Sequence, residues 1–126
     1  MPKKPLAVGS DKRLSLAGAQ DKTAVVTIKN KIAIPDDTIP STHILKPAIQ
    51  GFVETIENEY ICLKSAEKIG ISIPKIEIGK ANNTKYFLIE RYDREIKDGK
   101  IKRIHQEDFC QASKIPSAYK YQSEGG

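Results

Sequence analysis

The chain has 126 residues, enough for one small domain with a hydrophobic core of its own. Hydrophobic residues make up 39% and charged residues 29%, which excludes a disordered tail, and no apolar run approaches the roughly 20 residues of a membrane helix. The first residues lack the apolar core of a secretion signal, so we expect a cytoplasmic protein. The net charge of +5 comes from scattered lysines, which are typical of a solvated face, with a surface for phosphate-bearing partners as the alternative.

Residues 1–13 show no periodicity and are predicted to form a flexible N-terminal arm, with a strand that leads into the sheet as the alternative. The β-branched run over 23–28 predicts a strand, and residues 32–34 predict a second strand that pairs with it across a turn at 29–31. The segment 35–40, which begins and ends with proline, breaks the strand pattern.

Residues 42–45 resume an apolar strand, which Pro47 stops. The clearest helix is predicted over residues 54–69, and Gly70 supplies its C-terminal stop. Its packed face is predicted from five residues at helical spacing: Glu59, Cys62, Leu63, Ala66 and Ile69.

The C-terminal half predicts strands over 75–78, 85–92 and 101–104, with turns at 82–83 and 98–99. Residues 106–112 are predicted to form a short helix, because acidic residues in a first turn favour a helix N-terminus. The predicted fold class is α+β: a mostly antiparallel twisted sheet with one principal helix and a short C-terminal helix.

The two cysteines, Cys62 and Cys110, both fall in predicted helices with apolar neighbours, so we expect buried free thiols in a reducing compartment. The two histidines, His43 and His105, lie far from the cysteines and from each other. No zinc-binding spacing results, and we assign neither histidine a catalytic role.

A loop of small residues is the first feature that could carry chemistry. Between Leu14 and Lys22, the residues Ala17, Gly18 and Ala19 stand side by side, and small residues let backbone N–H groups approach an anion closely. An ordinary tight hairpin turn is the alternative.

Lys46 ends an apolar strand, where a lysine on the inner face could reach the α- and β-phosphates of a nucleotide. Glu59 lies on the predicted packed face of the helix, and a charge there needs a partner. A Lys46–Glu59 ion pair is therefore hypothesised. The alternatives are a solvent-side lysine and a glutamate at the helix edge in water.

A third feature is the strand that ends in polar residues at 90–93. Backbone groups at such a strand end could pair with the edge of adenine, and Asp93 could accept a hydrogen bond from a ribose hydroxyl. The alternative is a central strand that simply leaves the core into a surface turn.

These features occur in one order, together with further short motifs. The motifs are Ser15–Thr23, Thr42–Lys46, Glu57–Tyr60 with Cys62-Leu63, Glu90–Arg94, His105–Gln111, Pro116-Ser117, Lys120-Tyr121 and Gly125-Gly126. In this order they make the chain resemble the HipA-type serine/threonine kinases, the toxins of bacterial toxin–antitoxin pairs. The resemblance covers about nine-tenths of the chain and implies a kinase-like N-terminal lobe over residues 14–126.

The resemblance also implies roles for individual residues. Lys46 would be the phosphate lysine, Glu59 would position it, and Ser15 would be the residue whose autophosphorylation switches the kinase off. The ATP phosphate loop would consist of Ala17, Gly18, Ala19, Gln20, Asp21 and Lys22. The adenine-binding linker would consist of Glu90, Arg91 and Tyr92, acting mainly through the backbone, with Asp93 on the ribose side.

Two parts of the family pattern are missing from this chain. The catalytic residues and the Mg²⁺ ligands of the family lie downstream in a helical C-terminal lobe, in an Asp-Gly-His-x-x-Asn loop and a later Asp, and no Asp here is followed five residues later by Asn. Family members also carry a further N-terminal region that helps contact the antitoxin, whereas Ser15 lies close to the start here. The chain is therefore expected to hold half of an active site.

The function implied by the resemblance is ATP binding by one lobe of a kinase. With its C-terminal lobe and Mg²⁺, the kinase would phosphorylate a serine or threonine on a protein of the translation machinery, by family analogy an aminoacyl-tRNA synthetase. An antitoxin, and DNA through it, would be partners. The alternative is a non-catalytic binding module that contacts DNA or an antitoxin.

Overall fold

The computed structural model describes residues 20–119. The predicted N-terminal arm, Ser15 and the small residues Ala17–Ala19 lie outside the described residues. Within residues 20–119, no helix is long and apolar enough to cross a membrane.

The core of the fold is a five-stranded sheet in which all neighbouring strands are antiparallel, in the order β2-β1-β3-β5-β4. The longest helix of the described residues, α1 (Thr55–Lys68), contacts strands β4 and β5. The strands are β1 (Thr23–Ile28), β2 (Lys31–Ala33), β3 (His43–Pro47), β4 (Ile76–Ala81) and β5 (Thr84–Glu90). The predicted α+β class and the antiparallel sheet with one principal helix are confirmed.

A second, two-stranded sheet follows, formed by β6 (Arg94–Lys97) and β7 (Lys100–Arg103). The short helix α2 (Phe109–Ala112) comes next, and a 3-10 turn spans Ser117–Tyr119. Strand β6 was not among the predicted strands. Helix α2 begins later than the predicted residue 106, because Asp108 acts as its N-cap and forms a reciprocal capping box with Gln111.

Three of the strand pairs are tight hairpins, each joined by two residues at positive φ. This geometry is that of the type I′ turn, whose twist matches that of the flanking strands. Asn, Asp and Gly tolerate the left-handed conformation best, and they fill five of the six turn positions. The turns are Lys29-Asn30, Asn82-Asn83 and Asp98-Gly99.

Helix α1 ends in a Schellman motif at Gly70, as the sequence predicts. Gly70 adopts a φ of +91° and its N–H donates to the carbonyl of Glu67, while the N–H of Ile71 donates to the carbonyl of Ala66. Only glycine adopts this φ without strain, so Gly70 fixes the point at which the chain leaves the helix.

The packed face of α1 differs in part from the predicted one. Ile56 is the buried residue of the helix, Leu63 is half-buried, and Cys62 and Ile69 are exposed. The prediction that both cysteines are buried is therefore wrong for Cys62, and Cys110 is only partly buried, although both thiols are free. The difference comes from the rotation of α1 about its axis. Ile56 and Leu63 lie two turns apart on the side that packs against the sheet, and Cys62 and Ile69 lie outside that side.

The buried hydrophobic residues come from the central strands and from the start of α1. Phe87 and Ile56 are the largest fully buried side chains. The buried apolar set is Ala24, Val25, Val26, Ile56, Phe87 and Leu88.

Candidate nucleotide-binding site

The face of the sheet that α1 covers carries Lys46. In β3, side chains alternate between the two faces, so Ile44 and Lys46 share one face, and the register places them opposite Ile89 and Phe87 of β5. The Lys46 ammonium lies 5.9 Å from the centre of the Phe87 ring, within the range of a cation–π contact.

Lys46 and Glu59 form an ion pair between the central strand and the helix. Lys46 Nζ lies 2.5 Å from Glu59 Oε1, and the two side chains are only 19% and 28% exposed. Lys46 is thus not a solvent-side strand lysine, and Glu59 is not a free helix-edge carboxylate. The structure contains the hypothesised pair, which holds the ammonium at the boundary between core and solvent.

A second ion pair joins the same helix to the next strand. Lys85 of β5 donates to Glu57, which lowers the pKa of the Glu57 carboxyl and raises the pKa of Lys85. This pair is more exposed, with side-chain exposures of 55% for Lys85 and 32% for Glu57. The two ion pairs together tie the first half of α1 to β3 and β5.

The end of the predicted phosphate loop lies beside Lys46. Thr23 of β1 pairs with Leu45 of β3, so Lys22, one residue earlier, enters the sheet next to the strand end that carries Lys46. Lys22 and Gln20 are half-buried and Asp21 is exposed. The remaining residues of that loop lie outside the described part of the chain.

At the end of β5, Asp93 is held by two arginines. Arg91 donates in a bidentate fashion to Asp93, with distances of 2.8 Å from Nε to Oδ1 and 2.7 Å from Nη2 to Oδ2. Arg94 Nη1 lies 3.0 Å from Asp93 Oδ2. The hydrogen bonds from Arg91 are the main cause that lowers the pKa of the Asp93 carboxyl.

The same arginines converge on Ser41, which is 3% exposed and which the sequence reading missed. Ser41 Oγ accepts from Arg91 Nη1 at 3.3 Å and from Arg94 Nη2 at 3.2 Å, and its carbonyl accepts from Arg94 Nε at 2.8 Å. Burial lowers the pKa of Arg94. This four-residue cluster attaches the segment after β5 to the start of β3.

The backbone of the predicted linker is partly used by the sheet. The Glu90 N–H donates to the Lys75 carbonyl at 2.9 Å, and the Arg91 N–H donates to the Thr42 carbonyl at 2.9 Å. Tyr92 is 70% exposed, and its hydroxyl accepts from the Gln106 amide. A backbone donor for a ligand at this strand end must therefore come from Tyr92 or beyond.

His43 lies on the opposite face of the sheet from Lys46, because it precedes Ile44 in β3. Its Nδ1 lies 2.7 Å from Thr42 Oγ1 and 3.3 Å from Thr27 Oγ1. Burial is the main cause that lowers the pKa of His43. Within residues 20–119, no three His, Cys, Asp or Glu side chains are grouped so that they could hold a metal ion.

An antiparallel sheet whose central strand carries a lysine paired to a glutamate of the covering helix is the arrangement of the N-terminal lobe of protein kinases. The chain belongs to the family of HipA-like C-terminal domains, which it matches over residues 14–126.

Individual relatives agree with this assignment. The chain is 46% identical over 128 aligned residues to the putative kinase Y4mE of Sinorhizobium fredii, covering all of the chain and 30% of that protein. It is 30% identical over 116 residues to the serine/threonine-protein kinase toxin HipA of Shewanella oneidensis, covering 90% of the chain and 26% of that protein. The chain thus spans less than a third of the length of these relatives.

A solved structure shares the fold. It is a complex of HipA, HipB and operator DNA from the toxin–antitoxin system of Shewanella oneidensis, with a TM-score of 0.74 and 30% identity. The match covers 97% of this chain and 29% of that one.

Proposed function

We propose that the chain is the ATP-binding lobe of a HipA-like serine/threonine protein kinase. The observation that carries this proposal is the Lys46–Glu59 ion pair, 2.5 Å long and largely shielded from solvent. A glutamate that holds an ammonium at the edge of the core keeps the charge oriented. The lysine side chain is therefore already ordered, and nucleotide binding does not carry the entropy cost of immobilising it. The helix and the central strand are then both needed for binding.

The phosphates would bind between Lys46 and the loop Ala17–Lys22. Lys46 acts as a compact positive charge toward the α- and β-phosphates, and the small residues of the loop offer backbone N–H groups. Because Thr23 pairs with Leu45, the loop returns to the sheet beside the lysine. Lys46 and the loop are therefore proposed to contact one triphosphate.

The adenine would bind at the end of β5. With the N–H groups of Glu90 and Arg91 used by the sheet, the carbonyl of Glu90 and the N–H of Tyr92 are the groups proposed to meet the base. Asp93 is proposed to lie on the ribose side of the base, where its carboxylate, held in place by Arg91 and Arg94, would accept a hydrogen bond from a ribose hydroxyl.

The rest of the reaction is proposed to need parts of a longer protein. The Mg²⁺ ligands and the carboxylate that orients the attacking hydroxyl would come from a helical C-terminal lobe. The phosphoryl acceptor would be a serine or threonine of a translation protein, by family analogy an aminoacyl-tRNA synthetase. An antitoxin, and DNA bound with it, are proposed partners because the solved relative is a complex with HipB and operator DNA.

Ser15 is proposed as the site of an off switch. A phosphate adds about −1.5 to −2 charges at neutral pH. Next to a loop that holds the phosphates of ATP, this charge would repel the nucleotide. Autophosphorylation would then end the activity of the kinase.

The test is nucleotide binding by the chain, measured by the quenching or anisotropy of a fluorescent ATP analogue in the presence of Mg²⁺. Lys46→Met should weaken binding by about tenfold or more, equivalent to ~1.4 kcal/mol. Lys80→Met is the matched control, because Lys80 is an exposed lysine of edge strand β4. Hydrogen exchange at residues 17–22 should slow with Mg-ATP in the wild type and in the Lys80 variant only.

Equal affinities for the Lys46 and Lys80 variants would contradict the proposal. A second test adds a helical C-terminal lobe of a longer relative and looks for phosphate on Ser15 by mass spectrometry. Phosphate on Ser15 that disappears in the Lys46→Met variant supports the proposal, and phosphate that persists in it counts against a role for Lys46.

A further inference from the structure

Although the lysines are scattered along the sequence, the β6–β7 hairpin carries more than half of the net positive charge of the chain. Residues 94–103 hold five basic and two acidic side chains, which is +3 of the total of +5. Within the described residues, this hairpin forms a sheet of its own and pairs with no strand of the main sheet. It is a separate, basic, two-stranded ribbon.

The register of the ribbon places like charges directly opposite each other. Two of its four pairs are Arg94 with Arg103 and Lys97 with Lys100. Such pairs are destabilising in an antiparallel sheet. Asp93 offsets the first pair, since it contacts Arg94. Lys97 and Lys100 are both exposed, and across residues 20–119 neither side chain takes part in an ion pair.

One face of the ribbon is entirely charged. Alternation places Glu95, Lys97, Lys100 and Lys102 on it, and all four are exposed. The isoleucines of the hairpin lie on the other face. A protein partner would need apolar or aromatic anchors on the contact face. A purely electrostatic contact with a membrane takes clusters of about four to eight basic residues, and this face carries three lysines beside one glutamate. A phosphate backbone needs only the basic groups.

We infer that the exposed lysine face of the β6–β7 hairpin binds the phosphate backbone of double-stranded DNA. The major groove of B-form DNA admits a two-stranded ribbon, whereas the deep and narrow major groove of A-form RNA does not. The repulsion between Lys97 and Lys100 is then relieved by the phosphates of the partner. This site is separate from the proposed nucleotide site and does not depend on it.

The test is the binding of a fluorescein-labelled DNA duplex of arbitrary sequence to the 126-residue chain, followed by anisotropy over a range of salt concentrations. In a Lys97→Gln, Lys100→Gln double variant, the slope of log K against log salt should become less steep by about 2, since each phosphate contact contributes about 0.9. The matched control is Lys29→Gln with Lys31→Gln, which removes two lysines from the tip of the β1–β2 hairpin.

Thermal unfolding separates loss of binding from loss of fold. Removing like charges should not lower the midpoint of the Lys97, Lys100 double variant. An equal loss of DNA affinity in both double variants would show a general charge effect and overturn the inference. So would an unchanged salt slope, tighter binding to an RNA duplex of the same length, or binding to vesicles of anionic lipid without binding to DNA.

Discussion

The ring of Tyr86 lies directly across the backbone of Gly79, its partner in the pairing of β5 with β4. A Cβ on Gly79 would lie 2.1 Å from Tyr86 Cζ and 2.2 Å from its hydroxyl oxygen. Gly79 does not adopt a positive φ, so this position needs glycine for space and not for backbone freedom. The aromatic ring thus fills the place that a side chain on the edge strand would occupy.

Gly79→Ala should therefore destabilise the chain by about 1 to 2 kcal/mol, because the Tyr86 ring must swing away from the strand. Chemical denaturation followed by circular dichroism measures the change. The control is the same substitution in a Tyr86→Ala background, where alanine should be neutral or stabilising, since glycine is a poor strand residue. A loss of the same size in both backgrounds would show that the ring is not the cause.

Breaking the ion pair of the candidate site should cost stability as well as nucleotide binding. Glu59→Gln should lower the free energy of unfolding by about 1 to 2 kcal/mol, because Lys46 is left without its partner in a largely shielded position. A double-mutant cycle with Lys46→Met isolates the pair. The same cycle on Glu57 and Lys85, which are more exposed, should give a smaller coupling that salt abolishes. Equal couplings for the two pairs would contradict the prediction that the shielded Lys46–Glu59 pair contributes more than the exposed pair.

Asp93 should make the fold sensitive to acid. Its pKa is lowered in the folded chain, mainly by the hydrogen bonds from Arg91, so its contribution is complete above the unfolded pKa of about 3.9 and is lost as pH falls through the folded pKa. The stability difference between the wild type and Asp93→Asn should be constant from about pH 5 to 8 and should shrink below about pH 4. A difference that stays constant down to pH 2 would show that the arginines do not perturb this carboxyl.

His43 should change the stability of the fold in a different pH range. Burial lowers the pKa of this imidazole in the folded chain, despite the nearby Glu90 and Glu77, while Lys75 lowers it further. As pH falls below about 6.5 the unfolded chain takes up the proton first, so the wild type should lose stability relative to His43→Gln between about pH 7 and 5. Proton NMR of the imidazole gives the folded pKa directly, and a value above 6.5 would contradict this prediction.

The sequence was a good guide to the sheet because its turns have local signatures. Asn82-Asn83 and Asp98-Gly99 tolerate positive φ, and two-residue loops of this kind fix the register of the strands on either side. The stop of α1 at Gly70 was equally local. The Lys46–Glu59 pair could be hypothesised as well, since a glutamate on a packed helix face needs a partner.

Longer-range features could not be predicted in this way. Ser41 contributes to the arginine cluster at the end of β5, but it lies fifty residues before Arg91 in the chain and has no distinctive neighbours. The exposure of Cys62 depends on the rotation of α1, which is set by how Ile56 meets the sheet and not by helical periodicity alone. Strand β6 is four residues long and holds a single apolar residue, Ile96, which is too short a pattern to stand out.

The position of β3 in the sheet has a consequence for how the molecule assembles. Three hairpins and one helix involve neighbours in the chain, and such elements form within microseconds. Strand β3 pairs with β1 across the intervening β2 and with β5 across the intervening α1 and β4, and contacts of this longer range are slower to form. The strand that carries Lys46 is thus among the last to be fixed in place. We expect the proposed triphosphate site to be absent from partly folded chains, so that nucleotide binding would report completed folding.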